Sequence, residues 1–200
     1  MTSADVTGIV LAGGASRRFG RDKLREELRG EPLLAHAVRR VGEVCPRVLV
    51  VGAPGRVLPL PAGLPAEVVR DEVEREGPLR ATASALRAVA TEWSVVVGGD
   101  MPDLRPPVLS ALLALAADRD ASGAALGEGD GLRPLPCVLR TAPALRTAKR
   151  LLAEGERRLR SLLGALRVAV LAEDDWLPMD PERRTLVDVD EPADLDGLRG

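Results

Sequence analysis

Residues 6–23 of the chain read VTGIVLAGGASRRFGRDK, and the pattern of this stretch is the strongest indication of the fold class. Its first part, Val6–Leu11, is a short apolar run with β-branched side chains, which predicts a buried strand. The following segment, Ala12–Gly20, contains glycines and arginines and predicts a loop at the carboxyl end of that strand. In open α/β sheets, ligands bind at that edge.

Outward from this stretch, apolar runs alternate with longer segments of helical period, which is typical of a mostly parallel sheet flanked by helices. In the first half, the sequence predicts strands over Arg47–Val51, Glu67–Val69 and Ser94–Val97, and helices over Pro32–Val44, Leu79–Ala90 and Pro106–Ala117. Prolines exclude a regular helix from Ala53–Pro65, so we expect a loop there.

The second half is predicted to add an antiparallel excursion to this sheet, because a glycine-rich turn separates two apolar runs. The sequence predicts strands over Ala121–Leu126, Leu135–Leu139, Leu166–Leu171 and Leu186–Val189, and helices over Pro143–Leu152, Arg158–Leu163 and Pro192–Leu198. There is no internal repeat and no linker. We therefore expect a single Rossmann-like α/β domain over residues 1–200.

The composition excludes several classes of protein. The chain has 28 Lys and Arg against 30 Asp and Glu, a formal net charge of −2, so it lacks the broadly basic surface that nucleic acids or acidic membranes require. Cys45 and Cys137 are too few for a disulfide scaffold or a zinc site. Apolar runs are far shorter than the ~20 residues of a membrane span. We expect a cytoplasmic protein without nucleic-acid or membrane partners.

The loop after the first strand has the chemistry of an anion-binding site. Gly13 and Gly14 allow the backbone to approach a ligand with its N–H groups exposed, and Arg18 and Lys23 can neutralise phosphate oxygens. The spacing matches neither the Walker phosphate loop nor the G-x-G-x-x-G dinucleotide motif. Taken alone, a glycine-rich turn with solvated arginines is the simpler interpretation.

Three aspartates are candidate ligands for a divalent cation. Asp100 follows two glycines at a predicted strand end, where it can cap a turn or supply the hard oxygen that Mg²⁺ prefers. Its place on the same predicted sheet edge as Lys23 favours the metal. Asp188 and Asp190 are two residues apart, so both point to one face of an extended segment. The single histidine, His36, falls inside a predicted helix and is expected to be structural.

Residues 11–23 match the pattern L-A-G-G-x-S-x-R-F/M-G-x-D-K at every position. The chain therefore resembles the nucleotidyltransferase superfamily that includes molybdenum cofactor guanylyltransferase. The similarity continues at Gly30-Glu31-Pro32-Leu33, at Asp71 with Gly77-Pro78-Leu79, at Asp100-Met101-Pro102, at Gly155–Arg158 and at Val187–Pro192. It implies the nucleotide-diphospho-sugar transferase-like fold.

The resemblance also implies the roles of individual residues. It implies catalytic roles for Arg18, Lys23 and Asp100, and metal binding by Asp100 and Asp190, with Asp188 as an alternate ligand or an acceptor contact. The nucleotide contacts that it implies are Leu11, Ala12, Gly13, Gly14, Lys23, Asp71, Gly77, Pro78 and Asp100.

The implied reaction is the Mg²⁺-dependent transfer of GMP from GTP to the molybdopterin-type molybdenum cofactor, which yields the guanine dinucleotide form and pyrophosphate. Few acid–base groups are needed, because the acceptor phosphate already carries negative oxygens. A transient contact with cofactor-synthesis or acceptor enzymes is left open.

Two alternatives remain at this point. A cytidylyltransferase or another NTP:phosphate-monoester nucleotidyltransferase would share the fold, although Gly13, where cytidylyl relatives tend to have alanine, favours GTP. A non-catalytic nucleotide-binding regulatory module would keep the loop glycines but would not need both Asp100 and Lys23. The family's asparagine after the second strand is replaced by Gly52-Ala53-Pro54.

Overall fold

A computed structural model describes residues 5–13, 19–70, 77–129 and 131–199. In chain order, these residues form β1 (Val6–Leu11), β2 (Glu27–Leu28), β3 (Glu31–Pro32), α1 (Leu33–Gly42), β4 (Arg47–Gly52), β5 (Glu67–Arg70), α2 (Pro78–Arg87), β6 (Trp93–Gly98), α3 (Pro106–Asp118), β7 (Gly123–Glu128), β8 (Gly131–Arg140), α4 (Thr141–Ala153), α5 (Leu159–Leu166), β9 (Ala169–Leu171), α6 (Glu173–Trp176) and α7 (Pro192–Arg199). Every helix in these ranges is too short or too polar to cross a membrane.

The main sheet has seven strands in the order β5-β4-β1-β6-β8-β7-β9. β1 pairs in parallel with both β4 and β6, and β4 pairs in parallel with β5. β8 runs antiparallel to both β6 and β7, whereas β9 is parallel to β7. The predicted fold class is therefore confirmed, including the antiparallel excursion in the second half.

Both faces of the sheet are covered, which explains why the central strands are apolar along their whole length. On β1, Val6 and Val10 pack in the cluster that also contains α1 and α3. Ile9 and Leu11 belong to the cluster on the other face, with α2, α4 and α5. Gly8 is needed on the first face, because a Cβ there would collide with Val41 of α1.

The predicted strand over Leu186–Val189 is wrong. A 3₁₀ turn covers Arg184–Leu186, and the chain then crosses the edge of the sheet without pairing in it. The Val189 N–H donates instead to the Asp100 carbonyl at 2.9 Å, and the Val189 side chain is buried in a third apolar cluster beneath α7. The alternation of Val187 and Val189 with aspartates therefore results from burial of the valines beneath α7. It does not indicate a strand of the sheet.

The other predicted strand and helix boundaries are correct to within four residues, and two further differences have a physical cause. The predicted strand over Leu166–Leu171 is shorter, because α5 continues to Leu166 and Arg167 turns the chain with φ +50°. The β2–β3 hairpin was not predicted, since two-residue strands carry no periodicity. Its Leu28 carbonyl is bound by Nε2 of His36 at 2.6 Å, which gives that histidine the expected structural role.

Candidate active site

The carboxyl ends of the central parallel strands meet at one edge of the sheet. Leu11 is in register with Val51 of β4 and with Gly98 of β6. The segments that leave these three strands therefore begin side by side. Gly13 follows β1, and Asp100 follows β6, so the predicted anion-binding loop and the predicted metal ligand start from neighbouring strands.

A lysine between two carboxylates forms the centre of this edge. Nζ of Lys23 lies 2.7 Å from Oδ2 of Asp100 and 2.9 Å from Oδ1 of Asp190. The Lys23 side chain is only 12% exposed, whereas those of Asp100 and Asp190 are 26% and 42% exposed. The structure thus brings together three of the predicted site residues, and the two carboxylates retain access to solvent.

Lys23 is held in its charged form. Burial opposes the charge and is the largest single influence, but the attraction and hydrogen bonds of Asp100 and Asp190 together outweigh it, so the pKa of Lys23 is raised above its usual value. The ammonium group is therefore available as a fixed positive charge for phosphate oxygens.

The backbone around Asp100 is fixed by close packing. The Gly99 N–H donates to the Leu11 carbonyl at 3.0 Å, and the Asp100 carbonyl accepts from Val189 at 2.9 Å. A Cβ at Gly98 would collide with Oδ1 of Asp100. Gly98 therefore lets the Asp100 carboxylate lie close over the strand end, whereas a Cβ at Gly99 would collide with Leu34.

Asp190 is positioned by the start of α7. Oδ2 of Asp194 accepts the backbone N–H groups of Asp190 and Glu191, each at 2.8 Å. This cap fixes the chain immediately before the helix, since free N–H groups at a helix start need such an acceptor. The sequence analysis missed Asp194, although a carboxylate just inside a helix that begins with proline is a recognisable capping signal.

Asp188 has a different partner from Asp190. Oδ1 of Asp188 accepts from Nη2 of Arg133 at 2.6 Å, and the same Nη2 reaches the Leu186 carbonyl at 2.7 Å. Asp188 is therefore paired with β8, and Asp190 shares Lys23 with Asp100. This arrangement favours Asp190 over Asp188 as the second carboxylate of a metal site.

The glycine loop is described at its entrance only. A Cβ at Gly13 would meet no atom of the described residues within 4 Å. The Ala12 N–H donates to the Val51 carbonyl at 2.9 Å, and the Leu11 carbonyl accepts from Gly99, so these groups serve the protein itself. The predicted contacts Gly14, Arg18 and Asp71 lie outside the described residues.

Gly77 and Pro78 begin α2 against the segment 155–158. Gly77 has φ +85°, and a Cβ there would lie 2.9 Å from the Arg157 carbonyl. That carbonyl accepts the Leu79 N–H at 3.2 Å, so this donor at the helix start is already used. Glu156 accepts from the side chain and backbone of Arg158 and from Ser161, and these hydrogen bonds hold its pKa far below the usual range.

The donor set is suited to a cation that is completed by a substrate. Within the described ranges, no cluster of three or more His, Cys, Asp or Glu side chains could hold a metal ion. Mg²⁺ is commonly bound through one or two carboxylates together with substrate phosphates. The carboxylates of Asp100 and Asp190, which both contact Nζ of Lys23, fit that mode of binding.

Comparison with known proteins identifies the class of this chain as the NTP transferases, which are enzymes. More particularly, residues 8–170 match the MobA-like NTP transferase domain, and the chain belongs to that family. The family resemblance drawn from residues 11–23 is thereby confirmed.

Two curated relatives span nearly the whole chain. A probable molybdenum cofactor guanylyltransferase from Chloroflexus aggregans is 38% identical over 194 residues, covering 95% of this chain and 91% of that protein. One from Mycobacterium avium is 36% identical over 201 residues, covering 98% and 96%. A solved structure of molybdopterin-guanine dinucleotide biosynthesis protein A from Archaeoglobus fulgidus has a TM-score of 0.80 and 22% identity and covers 96% of both chains, which supports the fold.

Proposed function

We propose that this protein transfers GMP from GTP to the molybdopterin-type molybdenum cofactor and releases pyrophosphate. The observation that carries the proposal is the Lys23–Asp100–Asp190 cluster beside Gly13 at the sheet edge, in a chain whose curated relatives are named guanylyltransferases. In this reaction, an oxygen of the acceptor phosphate attacks the α-phosphorus of GTP, and the bond from that phosphorus to the bridging oxygen of pyrophosphate breaks.

The residues of this chain bind and orient the reactants. Lys23 supplies positive charge to the triphosphate. Asp100 and Asp190 would hold Mg²⁺, which when bound neutralises the negative charge that develops on the leaving pyrophosphate. We also propose that Gly14 and Asp71 contact the nucleotide and that Arg18 has a catalytic role.

No protein nucleophile is required, and the described side chains agree with this. Burial raises the pKa of the Cys45 and Cys137 thiols to about 12, so neither is reactive at neutral pH. Nε2 of His36 is engaged by the Leu28 carbonyl. The acceptor phosphate supplies its own negative oxygen. We further propose a cytoplasmic location, which the two free cysteines support.

Among the described residues, none comes within 4 Å of a Cβ placed at Gly13, and this supports close approach of a base or ribose to the backbone there. We propose that GTP is the donor and that Gly77 and Pro78 lie near the guanine. A site with polar partners for the guanine edge would reject ATP, which presents the opposite donor and acceptor at the six-position.

The test is a screen of pyrophosphate release by the purified protein with GTP, CTP, ATP and UTP, each with and without molybdenum cofactor. We expect release with GTP only, dependent on the cofactor and on Mg²⁺. Release with CTP instead of GTP would replace the donor, and release without the cofactor would remove the proposed acceptor.

A further inference from the structure

We propose that Arg56 is a positioning residue for nucleotide binding, because its guanidinium group joins the entrance of the glycine loop to the turn that carries Lys23. This inference rests on the proposed function, since it concerns how the same site receives a nucleoside triphosphate. Arg56 lies in the proline-rich loop between β4 and β5.

The contacts of Arg56 span two segments that are distant in sequence. Nη1 donates to the Ala12 carbonyl at 3.1 Å. Nε donates to Oδ2 of Asp22 at 3.3 Å, and Nη2 is paired with Oδ1 of the same carboxylate. The Arg56 side chain is 20% exposed. A planar guanidinium group with several fixed donors is suited to hold a carboxylate and a carbonyl in one arrangement.

Asp22 connects the Arg56 side chain to the turn that carries Lys23. Oδ1 of Asp22 accepts the Leu24 N–H at 3.2 Å, and the Asp22 carbonyl accepts the Arg25 N–H at 3.1 Å. Asp22 is thus the cap of the 3₁₀ turn Lys23–Arg25. The orientation of the Asp22 carboxylate therefore sets the start of the turn from which Lys23 reaches Asp100.

Arg56 is itself held by its neighbours. Its N–H donates to the Ala53 carbonyl at 3.2 Å, and its carbonyl accepts from Nη1 of Arg70 at 3.2 Å. Nη2 of Arg25 also bonds the Val57 carbonyl. The loop is therefore fastened to the end of β5 and to the 3₁₀ turn, so Arg56 can act as a rigid link between them.

Removal of Arg56 would act on the nucleotide in two ways. The Lys23 turn would lose a geometric restraint, and the Asp22 carboxylate would lose a partner and add negative charge near the phosphates. Both effects weaken binding of any nucleoside triphosphate, whatever its base. Arg56 therefore differs from a specificity residue.

Arg47 offers a matched control at the opposite end of β4. Its Nε and Nη2 pair with Glu67 at 2.8 Å each, and its Nη1 donates to the Ala88 carbonyl at 3.1 Å. It therefore joins a carboxylate and a carbonyl as Arg56 does, but far from the carboxyl edge of the sheet. Arg47→Met therefore measures the loss of stability that follows removal of such a link, and it leaves the nucleotide site unchanged.

The experiment measures affinity and kinetics for GTP, CTP and ATP with Mg²⁺ in Arg56→Met, Arg56→Lys and Arg47→Met. We expect Arg56→Met to lower affinity for each nucleotide that the wild type binds by roughly tenfold, about the value of one charged hydrogen bond. KM should rise by more than kcat falls. Arg56→Lys should recover part of the loss, and Arg47→Met should match the wild type.

The two lysines of the chain provide a second readout that does not depend on activity. The Lys23 side chain is only 12% exposed and ion-paired, whereas Lys149 is exposed on α4. Labelling with an amine-reactive reagent, quantified by mass spectrometry, should show a higher Lys23-to-Lys149 ratio in Arg56→Met than in the wild type or in Arg47→Met. Should Arg56→Met not fold, Arg56→Lys is judged by the same ratio.

Unchanged nucleotide affinity and an unchanged labelling ratio in both Arg56 variants would overturn the proposal. Equal losses in Arg56→Met and Arg47→Met would also overturn it, because the effect would then be general destabilisation. A wild type that binds nucleotides without transferring GMP would refute the proposed function instead, and the Arg56 comparison would still be decided by affinity.

Discussion

Lys23 is paired with Asp100 and Asp190, the two carboxylates that we propose as ligands of a divalent cation. Its Nζ contacts both Asp100 and Asp190, so a metal ion that enters alone must compete with a positive charge already in place. The phosphates of a nucleotide can draw the ammonium group toward themselves and free the carboxylates. Metal and nucleotide are therefore expected to bind together.

This arrangement predicts that Lys23→Met binds Mn²⁺, used as a spectroscopic substitute for Mg²⁺, more tightly than the wild type when no nucleotide is present. The gain should be roughly tenfold, because one positive charge is removed at contact distance. Affinity for GTP should fall in the same variant. Electron paramagnetic resonance titration measures free Mn²⁺, with Lys149→Met as the control. Weaker Mn²⁺ binding in Lys23→Met would contradict the competition.

Gly13→Ala is predicted to weaken GTP binding more than CTP binding, with no change in melting temperature. The added Cβ meets no atom of the described part of the chain within 4 Å, so we expect a loss of affinity to come from a clash with the ligand. Titration calorimetry with Mg²⁺ and the four nucleotides measures this. Equal losses for GTP and CTP would show that Gly13 does not distinguish the bases.

The proximity of Lys23 and Asp100 was predictable, because the glycine motif and a strand-end aspartate pointed to one edge of the sheet. Asp190 was expected at the site from the family resemblance, since the strand predicted just before it does not form. Arg56 was not predictable. Its role arises from a side chain that crosses from a proline-rich loop to Asp22, and neither periodicity nor spacing encodes such a contact.

Among the elements, the central strands were predicted well because both of their faces are buried and their sequences are continuously apolar. β1 has the predicted ends, and β4 is longer by one residue, Gly52. Short or irregular elements were missed for the converse reason. The β2–β3 hairpin is held by tertiary contacts, and Val187 and Val189 alternate because α7 covers them.

One of these contacts ties the hairpin to the loop after β6. Nη1 and Nη2 of Arg29 donate to Oδ1 and Oδ2 of Asp103 at 2.7 and 3.2 Å, and Nη2 also reaches the Leu198 carbonyl at 3.3 Å. Hydrogen bonding to Arg29 holds the pKa of Asp103 below its usual value, against the effect of burial. The pair therefore links β2–β3, the Asp100 loop and α7.

Asp103→Asn is predicted to lower the free energy of unfolding by about 1–2 kcal/mol at pH 7, since a part-buried charged hydrogen bond is lost and Arg29 is half exposed. Because the pKa of Asp103 is lowered on folding, its stabilisation is present above its unfolded pKa and is lost as the pH falls through its folded pKa. Urea titrations at several pH values should show the difference from wild type shrinking below about pH 4. A difference that grows toward acid would contradict this.

Over the whole fold, the segment from Val189 to Arg199 contacts both β2 and the loop that carries Asp100. Val189 donates to Asp100, and Nη2 of Arg199 donates to the Glu27 carbonyl at 2.9 Å. Phe19, Leu28, Leu33, Leu195 and Leu198 share one buried cluster. We propose that residues 1–200 unfold as one domain.

The two tryptophans can test whether the chain unfolds as one domain. Trp93 lies on β6 and Trp176 on α6, and both are buried. Trp93→Phe and Trp176→Phe each leave one fluorescent reporter. In urea, each variant should show the same midpoint by fluorescence and by circular dichroism. Separate transitions by the two probes in either variant would indicate two independently folding units.

The proposed transfer of GMP from GTP to the molybdenum cofactor can be followed with GTP that is labelled at the α- or the γ-phosphate. With molybdenum cofactor and Mg²⁺, the α-label should appear in the dinucleotide product and the γ-label in pyrophosphate. Asp100→Asn, which removes one negative charge from the proposed metal ligands with little change in side-chain size, should lower this transfer by roughly a hundredfold or more while the protein stays folded. Absence of the α-label from the product would contradict the proposed transfer of GMP. Transfer by Asp100→Asn within a few-fold of wild type would contradict the proposed role of Asp100 as a metal ligand.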